Sequence, residues 1–322
     1  MSVDKALICK LQVPRPAKGA LDRRALGRTL TTLANASALD LARLPPRPAG
    51  AHAARRIGIT GAPGAGKSTL LGHLALHRAA RGRLGVLAVD PSSPKSGGAI
   101  LGDRVRMDEL SGAAELYIRS LGSRRTSDGL ADNLPEMFDA MDDFGFDEVL
   151  LETVGVGQAE YAARQHVDTL ALVLLPESGD TVQAMKAGIM EMADIFVVNK
   201  ADLAGAQKMA TDIRRITAVM RREAGAWNPP VLLATYSRPE SIEALSRAID
   251  EHQAWLTSTH RHNELREQRA RYRLRHLLEL LSADFIARQN RAFFDQPVER
   301  QLATLLAQLS TTTGDTHHAQ AT

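Results

Sequence analysis

The stretch Gly61-Ala62-Pro63-Gly64-Ala65-Gly66-Lys67-Ser68-Thr69, directly after the strand-like run Arg56-Ile57-Gly58-Ile59-Thr60, constrains this chain more than any other. Gly61, Gly66, Lys67 and Ser68 satisfy G-x-x-x-x-G-K-[ST], in which glycines let consecutive backbone N–H groups wrap a phosphate chain without side-chain obstruction. In such a loop Lys67 reaches the β- and γ-phosphates and Ser68 takes a Mg²⁺ ligand position. A helix is expected from Ser68 to about Arg81, and its dipole places positive charge at the same phosphates. Nucleotide binding is therefore the first functional expectation.

A strand feeding such a loop and helix needs a covered, largely parallel sheet around it. The sequence supplies one. Short Val/Ile/Leu runs alternate with helical segments, giving expected strands at Ile57 to Thr60, Gly85 to Asp90, Leu116 to Arg119, Glu148 to Glu152, Thr169 to Leu175, Ile195 to Val198 and Val231 to Ala234. The expected fold is α/β: a P-loop NTPase with a mostly parallel central sheet flanked by helices, plus helical N- and C-terminal extensions. With 322 residues, 44% of them hydrophobic, the chain can bury a core of that size.

The extensions are read from punctuation and periodicity. Leu21, Leu26, Leu30 and Leu33 recur near helical spacing, a short helix is expected from Ser37 to Leu44, and Pro45-Pro46-Arg47-Pro48-Ala49-Gly50 breaks the chain. Residues 1–50 thus read as an arm and linker and 51–257 as the nucleotide domain, closed by a helix from Ser241 to Trp255. Residues 258–309 form a helical arm. Its long helix, about Asn263 to Asn290, carries Leu274, Leu277, Leu278, Leu281 and Phe285 on a face that must bury on its own domain or on a partner chain. Residues 310–322 are small and polar and are expected to be disordered.

Composition removes several function classes. The net charge of +3 comes without a basic stripe interleaved with aromatics, so no nucleic-acid partner is expected. No run approaches the ~18 apolar residues of a membrane helix, and no membrane association is expected. A single cysteine, Cys9, excludes an intrachain disulfide framework and fits a reducing cytoplasm.

Chemistry is sought at strand ends, where open parallel sheets bind ligands. Asp90 ends one strand and opens a long polar loop containing Asp103; each is either a ligand of Mg²⁺ through water or a solvated turn aspartate. Glu152-Thr153-Val154-Gly155-Val156-Gly157-Gln158 places an acid three residues before a glycine. Nucleotide hydrolases use that arrangement to bring a carboxylate towards Mg²⁺ and a glycine N–H towards the γ-phosphate. Gln158 either orients a water there or is a surface amide. Asn199-Lys200-Ala201-Asp202 follows another strand. Its carboxylate accepts two hydrogen bonds from guanine that adenine cannot supply, while the Lys200 stem packs across the base, so GTP or GDP is the expected nucleotide.

These motifs, with their connecting text, resemble the MeaB/ArgK family, the GTPase chaperones of cobalamin-dependent methylmalonyl-CoA mutase. The likeness covers roughly Arg24 to Leu203. It includes Ala88-Val89-Asp90-Pro91-Ser92-Ser93-Pro94, Ile100-Leu101-Gly102-Asp103, Glu152 through Gln158, and Gly179-Asp180 with Gln183, Lys186, Gly188, Ile189 and Glu191. It implies GTP hydrolysis, a homodimer held partly by the terminal arms, and a cobalamin-dependent acyl-CoA mutase whose cofactor loading and protection are gated by the nucleotide. It also implies base contacts at Ala234 and Thr235, and a role for Lys186, on an extra switch segment, in stimulated hydrolysis; spacing alone reads Lys186 as a solvated helix lysine. The sequence departs from the family's glycine-rich pattern at Arg125 and Asp128, from its Ser-Ala pair at Ala234-Thr235-Tyr236, and beyond Pro297, which leaves open a related mutase as partner.

Two rival readings share the architecture. A nickel-inserting GTPase needs His tracts or paired cysteines, and only Cys9 and His317-His318 are available. A kinase for a small molecule or transport protein is the other, and Asn199-Lys200-Ala201-Asp202 argues against an ATP-dependent one.

Overall fold

The computed structural model describes residues 21–48, 50–90, 115–122, 130, 133–153, 158–176, 188–219, 225–235 and 238–314. Its centre is a sheet of seven strands: β1 (Arg55–Gly61), β2 (Leu84–Asp90), β3 (Leu116–Gly122), β4 (Glu148–Glu152), β5 (Thr169–Leu174), β6 (Ile195–Val198) and β7 (Val231–Leu233). They lie in the order β3-β2-β4-β1-β5-β6-β7, and every neighbouring pair is parallel. All seven strands stand where the apolar runs predict them, with ends shifted by up to three residues.

The sheet is buried on both faces, and its strand residues divide between them by alternation. Val86, Ala88 and Leu150 enter a core with Leu70, Leu71 and Leu74 of α3 (Lys67–Ala79) and Leu245 and Ile249 of α7 (Pro239–Ser258). Leu87, Val89, Val149 and Leu151 enter the opposite core with Met137, Phe138 and Met141 of α4 (Leu134–Asp143). A third cluster joins Leu172, Leu174, Phe196 and Val198 to Met209 and Ile213 of α6 (Ala206–Val219).

The first described helix, α1 (Arg23–Ala34), packs on α4. Its Leu26, Leu30 and Leu33 share the core of α4, and Asn133 Nδ2 donates to the carbonyls of Leu33 and Ala36 at 2.6 and 3.1 Å. The short α2 (Ala38–Ala42) is fixed by a capping box between Ser37 and Asp40.

The C-terminal arm comprises α8 (His262–Ala287), α9 (Arg291–Phe294) and α10 (Val298–Gly314). Here the expected leucine face is split. Phe285 is buried against Phe293, and Leu277 packs on the core, but Leu274 and Leu278 are 62% and 45% exposed. The side of α8 that meets its own domain is instead Leu265, Tyr272 and His276 with Arg269 and Arg273, which pair with Asp168, Glu136 and Asp139. At the chain end α10 runs to Gly314, so residues 310–314, expected to be disordered, are helical. Extending a helix already begun costs far less than starting one, and Ser and Thr are only mildly unfavourable in it. Residues 315–322 lie outside the described residues. Among the described residues no helix is long and apolar enough to cross a membrane.

Candidate nucleotide site

The carboxyl ends of β1, β4, β6 and β7 bring the predicted site residues to one edge of the sheet. β1 ends at Gly61, whose φ is +142°, and an added Cβ there would stand 2.0 Å from the Val173 carbonyl oxygen of β5. Only glycine fits where the chain leaves the sheet so close to the next strand. Ala65 N–H donates to the Ala62 carbonyl at 3.2 Å to close the loop. Gly66, at φ +84°, then caps α3 without a side-chain hydrogen bond, leaving the first-turn N–H groups for a ligand.

Lys67 is 8% exposed and donates from Nζ to the Ala62 carbonyl at 3.1 Å, so its ammonium is held inside the loop it serves. One residue on, Ser68 Oγ donates to Glu152 Oε1 at 2.6 Å. Glu152 is the last residue of β4 and is 6% exposed. β4 lies beside β1 with Ile59 paired to Glu152, so strand register delivers this acid beside the phosphate loop. Asp90 ends β2, two residues beyond the Ala88 that pairs with Glu152. Asp103, Lys186 and the 154–157 loop lie outside the described residues; Gln158 begins the short helix α5 (Gln158–Arg164).

The base-reading segment is tied to the phosphate loop. Asn199 is 7% exposed and its Nδ2 donates to the Ala65 carbonyl at 2.8 Å, and a Cβ added to Gly66 would meet that same nitrogen at 2.5 Å. Thus Gly66 is required by both its φ and its neighbour. Lys200 adopts φ +53°, a turn that exposes its side chain above the loop. Asp202 is exposed, and its Oδ1 accepts from Thr235 Oγ1 at 3.0 Å. Ala201 N–H donates to the Ala234 carbonyl at 3.0 Å, locking the two loops that flank the base position.

Two features escaped the sequence reading. Thr60 and Thr153 are 0% and 1% exposed, and their hydroxyls meet at 2.8 Å. They join the residue before Gly61 to the residue after Glu152, and a hydroxyl at the end of each of two buried strands was the available signal. The second is the division of labour around the base. Asn199 spends its amide on the phosphate loop, and Thr235 orients the Asp202 carboxylate; motif spacing alone does not separate these roles from direct nucleotide contact.

Comparison with known proteins agrees with this geometry. The sequence model of "Methylmalonyl Co-A mutase-associated GTPase MeaB" matches residues 31–290. A Pyrococcus abyssi protein bearing a provisional GTPase name is 37% identical over 296 residues, 89% of this chain and 90% of its own length. The GTPase ArgK of Escherichia coli is 36% identical over 222 residues, 67% of this chain and 66% of its own. A crystal structure titled LAO/AO transport system kinase superposes with a TM-score of 0.67 at 25% identity, covering 97% of this chain and 98% of its own. A phosphate loop, a carboxylate beside its serine and a guanine-reading loop, all within a match spanning most of the sequence, make this chain a member of the MeaB family of GTPases.

Proposed function

We propose that this GTPase is a homodimeric, Mg²⁺-dependent chaperone whose nucleotide state gates cofactor loading and protection of a cobalamin-dependent acyl-CoA mutase. The observation that carries the reading is the contact between Ser68 and Glu152, in a family described by its association with methylmalonyl-CoA mutase. That contact joins the first turn after the phosphate loop to the end of β4, so a change at the phosphates bears directly on Glu152.

The donor set suits Mg²⁺. A hydroxyl and a carboxylate are hard oxygen ligands. Among the described residues no group of three or more His, Cys, Asp and Glu gathers to hold another ion. Ser68 and Glu152 would hold the metal, with Asp90 and Asp103 acting through water. When bound it offsets charge on the β- and γ-phosphate oxygens. Lys67 binds the same oxygens, exchanging the Ala62 carbonyl for phosphate, and the first-turn amides of α3 orient the chain. Asp202, held by Thr235, selects guanine; Gln158 positions the attacking water, and Lys186 joins the site when the mutase orders its segment.

Dimerisation is supported by the arm. Leu274 and Leu278 on α8, with Val298, Leu302 and Leu306 at four-residue intervals on α10, are 45–68% exposed, more apolar surface than a solvated arm needs. The test of the chaperone reading is affinity for a purified cobalamin-dependent acyl-CoA mutase, measured with GDP and with a non-hydrolysable GTP analogue. Affinities differing several-fold between the two states are expected; no binding in either state contradicts the proposal. The kinase title of the structural neighbour supports a second reading, which predicts radiolabelled γ-phosphate on an acceptor rather than in free phosphate.

A further inference from the structure

A second cavity, of about 320 Å³, lies at the opposite end of β1, under the C-terminal arm. Its size falls within the range of small-molecule sites, and it stands roughly 15–20 Å along the strand from the phosphate loop. Five guanidinium groups line it. Arg47 comes from the connection before β1, Arg56 from β1, and Arg266, Arg269 and Arg273 from one face of α8.

The carboxylates on its wall are heavily shared. Asp142 accepts from Ala54 N–H, Arg47 and Arg56 at 2.9, 3.0 and 2.8 Å, which occupies both of its oxygens. Asp139 is divided among Arg47, Arg56 and Arg273 at 3.7, 3.6 and 3.0 Å. Asp143, Asp168 and Glu136, outside the lining, pair with Arg47, Arg269 and Arg273. Burial pushes the carboxyls of Asp142 and Glu136 up, against the pull of Arg56 and Arg273, and it pushes the Arg269 guanidinium down, against the pull of Asp168.

Donor capacity is left over on the positive side. Arg266, exposed at the mouth, has no ion pair among the described residues. Among the described residues the Nε groups of Arg56 and Arg269 have no hydrogen-bond partner, but both atoms are shut off from the cavity, and the Arg56 guanidinium lies 4.6 Å over the Phe138 ring. Guanidinium is matched in geometry to oxyanions.

We propose that this cavity is a second anion site, taking the phosphate groups of a small molecule while the phosphate loop holds guanine nucleotide. Guanidiniums approach from three separate elements, which suits the spread of acceptors on a tetrahedral phosphate better than the single plane of a carboxylate. An occupant would join α8 to β1, fixing the arm to the strand that enters the phosphate loop.

The test titrates inorganic pyrophosphate into the full chain saturated with GDP in metal-free buffer, following heat of binding and thermal unfolding. One pyrophosphate per chain, with a raised melting temperature, is the expected result. Arg266→Ala should weaken it about threefold or more, and Ala270→Glu, which adds a carboxylate at the exposed rim, about tenfold or more. Both positions are exposed, so folding is retained and is checked by unchanged GDP affinity. Loss of all pyrophosphate binding once GDP is saturating, or equal binding by the parent and both variants, overturns the proposal.

Discussion

At the scale of single residues, the proposed reading gives weight to groups that act through others. Thr235 Oγ1 donates to Asp202, and in that reading the carboxylate decides between bases. GTP should be preferred over ATP by at least ~10²-fold, since adenine offers that carboxylate neither of guanine's two donors, and Asp202→Asn should move the preference towards xanthine nucleotides, whose carbonyl accepts from the new amide. Competition binding against GTP measures both; equal affinity of the parent for GTP and ATP would remove the assignment. The Thr60–Thr153 pair gives a sharper test, because both hydroxyls are buried. Thr153→Val strands the Thr60 hydroxyl and should cost about 1–3 kcal/mol, whereas adding Thr60→Val should restore most of it by leaving nothing unpaired. Urea unfolding of the three variants reads the cycle, and additive losses contradict it. Lys67→Ala should abolish hydrolysis and weaken nucleotide binding; Glu152→Gln should chiefly lower kcat.

At the scale of elements, the sequence was most legible where one physical rule acted alone. The central strands β4, β5 and β6 are fully buried runs bounded by polar turns, and β4 and β6 were located to the residue. The phosphate loop and the Asn199–Asp202 turn were legible because their glycines and charges have few other uses. The arm was less so, since a leucine periodicity says that a face is apolar without saying which neighbour covers it. On α8 the domain is met by an arginine and aromatic side, Arg269, Tyr272, Arg273 and His276, which pattern-reading counts as solvent-facing. Likewise Thr60 and Thr153 are 93 residues apart, and no local signal pairs them. The uncovered leucines lead to a prediction at this scale. Leu302→Glu with Leu306→Glu should convert a dimer to a folded monomer, judged by sedimentation mass with GDP affinity unchanged. A parent chain that is monomeric at micromolar concentration would show that the arm serves another contact.

At the scale of the whole molecule, β1 runs from the arginine-lined cavity at one end to the phosphate loop at the other. The nucleotide edge joins β1, β4, β6 and β7, while the arginine-lined cavity joins β1 to the arm. In the proposed reading, a partner seated on the arm and on the nucleotide edge would contact both, so that nucleotide state and partner binding form one equilibrium. In that account Lys186 contributes only when the mutase orders its segment, so Lys186→Ala should leave intrinsic turnover within about twofold and remove a coupling of order 1–3 kcal/mol. The most direct measurement is GTP turnover at saturating nucleotide, with and without purified cobalamin-dependent acyl-CoA mutase, for the parent and for Lys186→Ala. The account predicts turnover raised about tenfold or more by the mutase in the parent, corresponding to that coupling, and largely unraised in the variant. Turnover of the parent unchanged by the mutase would contradict the claim that this GTPase is its chaperone.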